Sequence, residues 1–91
     1  MHLTDRAILT PDVITRRIGG EVVILDLASG EYFGLNAVGA RAWQLLGEGK
    51  TLGDVCAALA MEYDMTPDEV QPDVLRLAED LDARHLISVA P

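Results

Sequence analysis

Side chains that most often carry chemistry are scarce in this chain. There are two histidines, His2 and His85, and one cysteine, Cys56. Metal centres built from His and Cys need three or four ligands at short spacings, and no such spacing occurs. A cysteine becomes a nucleophile when a nearby base or positive charge lowers its pKa. Cys56 instead falls in the apolar repeat Leu52, Val55, Cys56, Leu59, Tyr63, which reads as the inner stripe of a helix. The 15 acids are scattered, and no spacing singles out an acid–base pair. Gly19-Gly20 precedes a β-branched run rather than a helix, so it reads as a turn and not a phosphate loop. Arg16-Arg17, the one basic doublet, reads as a solvated strand face, and Trp43 as a core or rim residue. The chain is therefore expected to bind rather than to catalyse, without metal or cofactor.

Charge narrows the choice of partner. The net charge is -8, a field that repels phosphate backbones and attracts basic peptides or basic protein surfaces. Nucleic acid is not expected as a partner. With one cysteine no internal disulfide forms. No signal-like start and no membrane-length apolar run is present, so a cytoplasmic protein is expected and membrane is not a partner.

The 91 residues suffice for one domain. Residues Met1 to Pro11 read as an N-terminal arm, and residues 12–91 as the domain. Three strands are expected at Val13–Ile18, Glu21–Leu27 and Glu31–Leu35, joined by Gly19-Gly20 and Ala28-Ser29-Gly30. In the second strand, Asp26 marks the face shared with Val22 and Ile24 as the wetter one, which leaves Val23, Leu25 and Leu27 inward. In the third, Phe33 and Leu35 point inward, Tyr32 and Gly34 outward. Asn36, Thr51 and Thr66 then cap three helices, the last with Pro67 at its first position. The third helix runs from Pro67 to about Arg84 with an expected core stripe of Val70, Val74, Leu77 and Leu81. His85 to Val89 is an apolar tail that forms a brief strand or closes the core. The fold class is α+β, a three-stranded antiparallel sheet followed by three helices in a winged-helix-like arrangement.

In this order the chain resembles the PqqD family, also called the RiPP recognition element. The resemblance is carried by Val22-Val23-Ile24-Leu25-Asp26 through Gly30-Glu31-Tyr32-Phe33. Gly34-Leu35-Asn36 follows, then the helix with Ala37, Gly39, Ala42 and Trp43. Gly49-Lys50-Thr51 supplies the break, and Val70, Asp73-Val74, Leu77, Leu81 and Leu86-Ile87 the closing segment. It spans about residues 13 to 90. The form around Asp26 and Gly30 to Asn36 looks more like the free-standing recognition proteins of lasso-peptide pathways than PqqD of the quinone-cofactor pathway.

The resemblance implies a domain that captures the leader of a ribosomally made precursor peptide and presents it to modifying enzymes. In lasso pathways these are a leader peptidase and a cyclase. In the quinone pathway the partner is a radical SAM enzyme. The leader is expected along Glu31, Tyr32, Phe33, Gly34 and Leu35 and against the third helix at Val74. There Gln71, Leu75, Ala78 and Asp82 form one flank of the core stripe, joining an apolar residue to an acid. A meander leaves a free strand edge whose N–H and C=O groups an added strand satisfies. Two other classes compete. A winged-helix DNA binder is opposed by Asp73, Glu79, Asp80 and Asp82 on the third helix, and retention on heparin distinguishes it. A small enzyme using Cys56 is distinguished by the rate of thiol alkylation. Oligomeric state is not legible.

Overall fold

The computed structural model describes residues 1–90. Strands β1 (Arg6–Leu9), β2 (Val13–Ile18), β3 (Glu21–Asp26) and β4 (Tyr32–Leu35) precede helices α1 (Ala37–Gly47), α2 (Leu52–Glu62) and α3 (Pro67–Ala83), and β5 (Ile87–Ala90) closes the chain. The architecture is α+β, with the antiparallel sheet β2-β3-β4 followed by three helices.

Each helix starts where a side chain satisfies amides that have no partner within the helix. The Gly39 amide donates to Asn36 Oδ1 at 2.8 Å. Thr51 and Asp54 form a reciprocal capping box, with distances of 3.1 and 3.2 Å. At α3 the Glu69 amide donates to the Thr66 hydroxyl at 3.3 Å, and that hydroxyl donates to the Glu69 carboxylate at 3.0 Å. Pro67 then sets the helical φ of the first turn.

The expected arm is folded. β1 pairs antiparallel with β5 in a separate two-stranded sheet, Arg6 opposite Ala90 and Leu9 opposite Ile87. Ala7 is buried. The preceding residues serve the start of α2, where the Leu52 amide donates to Asp5 O at 2.9 Å and the Gly53 amide to Leu3 O at 2.7 Å. A Cβ at Gly53 would approach Leu3 O to 3.2 Å, so the glycine permits the close contact. These backbone bonds do for α2 what a longer cap would do, and a short segment of mixed character gave no sign of them.

One face expectation is reversed. Val22 and Ile24 point into the core, Ile24 with 0% exposure, while Val23 and Leu25 are half-buried and Leu27 is exposed. The reason is Asp26. Its carboxylate accepts from the Ala28 amide at 3.0 Å and from the Ser29 hydroxyl at 3.0 Å. Its polarity thus reports the β3–β4 turn and not the wetness of a face. In β4 the expectation holds: Leu35 is buried and Tyr32 is 73% exposed.

Helix α3 shifts its stripe by one position. Val70, Val74, Ala78 and Leu81 are the buried residues, whereas Leu77, expected in the core, is half-buried. At about 100° per residue the four cluster within about 80°, with Leu77 just outside on one side and Leu75 farther round on the other. Both pack partly against the core.

Candidate functional site

β4 is an edge strand. It pairs with β3 through Val22–Leu35, Val23–Gly34, Ile24–Phe33 and Leu25–Tyr32, and its other edge carries no strand. Beside it runs a groove of about 510 Å³. Phe33, Gly34 and Leu35 form one wall, and Val70, Asp73, Val74 and Leu77 of α3 form the other. Val38, Gly39 and Ala42 of α1 lie along it, and Leu59, Tyr63 and Met65 close the end beneath α2. Val38, Tyr63 and Met65 are exposed apolar side chains. A Cβ on Gly34 would meet nothing within 4 Å, so the space at the strand is open.

Local sequence holds the walls apart. Asn36 caps α1 directly after β4, so the chain turns from strand to helix in one residue. Gly39 lies against that corner, where a Cβ would come within 3.3 Å of Leu35 and Asn36 side-chain atoms. At the far end of α3 the Arg84 guanidinium stacks over the Phe33 ring, 4.7 Å from its centroid, and ties the end of the helix to the strand.

The groove is apolar with one charged lining residue, Asp73. Its contact with Arg76, 3.8 Å between two side chains over 70% exposed, leaves that carboxylate open to a ligand. Helix α3 also exposes Glu79, Asp80 and Asp82, which would repel a phosphate backbone. Such a site offers a peptide backbone an edge, apolar side chains a furrow, and a basic residue one carboxylate.

Of the residues expected from sequence, Phe33, Gly34, Leu35 and Val74 come together here. Glu31 and Tyr32 are exposed at the start of β4, beside Arg84 and away from the groove. Gln71, Leu75, Ala78 and Asp82 do not line it. Ala78 is 1% exposed and belongs to the core, Gln71 and Leu75 are half-buried, and Asp82 is exposed on the far flank. A helical wheel defines two flanks of a stripe but not which of them faces β4. For that reason the wheel did not mark Asp73 and Leu77 as lining the groove, and Val38, Tyr63 and Met65 reach it from outside α3. The exposed apolar pair Tyr63 and Met65 at the end of α2 was the available signal.

Cys56 lies in the core, and burial pushes its thiol pKa up. Among the described residues no three His, Cys, Asp or Glu side chains converge as metal ligands.

Comparison with known proteins agrees with this geometry. No curated protein sequence matches the chain at a significant level. Two solved structures do. TbiB1 in complex with the TbiA(beta) leader peptide is 36% identical, covers 88% of this chain and 93% of its own, and superposes with a TM-score of 0.80. Lasso peptide synthetase B1 complexed with the leader peptide is 28% identical, with coverage of 94% and 99% and a TM-score of 0.79. The family model described as Coenzyme PQQ synthesis protein D (PqqD) matches residues 21–87, the span from β3 through the start of β5. The chain belongs to the PqqD family.

Proposed function

We propose that this chain binds the leader of a ribosomally made precursor peptide between β4 and α3 and presents it to the modifying enzymes of a lasso-peptide pathway, a leader peptidase and a cyclase. The observation that carries the reading is a free β4 edge opening onto an apolar groove, in a chain 36% identical to a protein solved with a leader peptide. A leader added to β4 completes the sheet with main-chain hydrogen bonds. Its alternate side chains turn toward Leu77, Tyr63 and Met65. Asp73 favours a basic residue in the leader. The two leader-bound likenesses favour the lasso reading over service to a radical SAM enzyme.

The protein acts by binding alone. Among the described residues no helix is long and apolar enough to cross a membrane. The test pairs fluorescence polarisation with mass spectrometry, using labelled leaders of the precursor peptides encoded in the same genome. Saturable binding reversed by unlabelled leader is expected, with the full precursor unchanged in mass after incubation. Absence of saturable binding rejects the leader assignment. A cleaved or cyclised product formed by this protein alone rejects the non-catalytic one.

A further inference from the structure

The sheet has a second free edge, β2, and beneath it lies a second groove of about 580 Å³. Its origin is in the packing. Helix α1 lies under β3 and β4. The inward side chains of β2 are identified by register: Thr15 sits opposite Ile24, and Arg17 opposite Val22. Their partners are buried, yet Thr15 and Arg17 are exposed. Below them α1 lines the groove with Ala37, Ala40 and Gly47, which fill little space, together with Trp43 and Gln44.

The two grooves differ in the charge that is left open to a ligand, Asp73 beside β4 and Arg17 under β2. The one beside β4 is lined by one carboxylate and no cation. The one under β2 is lined by two guanidiniums, Arg17 and Arg41, and no carboxylate, in a chain with 15 acids and 7 bases. Arg17 has no ion-pair partner among the described residues. Arg41 donates from Nε and Nη2 to Glu62 at 2.9 and 3.0 Å, which holds the guanidinium in place at the groove wall. That bond holds the Glu62 carboxyl below its usual pKa, so the pair stays ionised. Gln44 adds an amide on the same wall.

We infer that this second groove is a docking site for an extended acidic segment of a partner protein. The free β2 edge supplies backbone pairing, the small-residue floor accepts side chains, and Arg17, the unpaired guanidinium, takes a carboxylate by charge-assisted hydrogen bonds, with Arg41 held beside it by Glu62. A partner held there leaves the groove beside β4 open. The inference does not depend on what occupies β4.

The test is an ¹⁵N–¹H titration of the full chain with a capped ten-residue peptide alternating glutamate and alanine. A lysine–alanine counterpart and a ten-residue oligothymidylate serve as comparisons. Saturable shifts are expected at Thr15, Arg17, Gly20, Gln44 and Gly47 with the acidic peptide alone. Arg17→Glu should weaken its binding by about tenfold or more, and Arg17→Gln by less, with thermal melts unchanged because Arg17 is exposed. Tyr63 lines both grooves, so the amides of Tyr32 to Leu35 are followed in the same spectra. Failure to saturate, shifts confined to those β4 amides, equal affinity of Arg17→Glu, or binding of the oligothymidylate in place of the peptide would each overturn the inference. Shifts confined to β4 would also count against a preference for a basic residue at Asp73, and the other outcomes leave leader binding at β4 untouched.

Discussion

Leu77→Asp should weaken leader binding by about 2 kcal/mol, roughly 30-fold, the loss typical of a central anchor. Leu77 is half-buried on the groove wall of α3, and the new carboxylate would sit one helical turn from Asp73. An apolar leader side chain would then face two negative charges. The matched control is Leu75→Asp. Leu75 is half-buried too, but on the flank of α3 that does not line the groove. It should cost stability and leave affinity within about twofold. Polarisation titrations with labelled leader, each accompanied by a melt, separate the two effects, and Leu77→Ala supplies a milder variant if the aspartate unfolds the protein. A loss at Leu75 with none at Leu77 would place the leader on the opposite flank.

Ile24→Ala should destabilise the fold by about 3 kcal/mol, because it opens a cavity in the middle of the core. Ile24 is fully buried between its cross-strand neighbours Thr15 and Phe33. For a domain of this size the melting temperature should fall by roughly 12–24 °C. Leu25→Ala removes a side chain from the outer, half-exposed face and should cost about 1 kcal/mol or less. Chemical denaturation of both variants checks the assignment of faces. Equal losses, or a larger loss at Leu25, would contradict it.

What could be read in the sequence follows from where the information lies. Caps are local, so Asn36, Thr51 and Thr66 marked the helix starts correctly, and Gly19-Gly20 marked the hairpin. The edge strand carrying Phe33, Gly34 and Leu35 was legible because period-two alternation and a meander are also local. Three features were not. Asp26 served a turn while looking like a face marker. β1 pairs with β5 across nearly the whole chain, and its four residues carry no local signal of a partner. The choice between Leu75 and Leu77 depends on how α3 is rotated against β4, a tertiary quantity that periodicity leaves undetermined. The flank at Gln71, Leu75, Ala78 and Asp82 was a valid edge of the stripe, on the side away from the groove.

The central claim, that the leader joins the sheet at β4, is tested most directly by amide hydrogen exchange with and without leader. The β4 amides that face away from β3 have no strand partner in the free protein. With leader at about 100 times its Kd, their exchange through local opening should slow by about 100-fold. Amides of β2, on the other edge, should change little. Unchanged exchange across Tyr32–Leu35 under saturating leader, with protection confined to α2, would contradict the account.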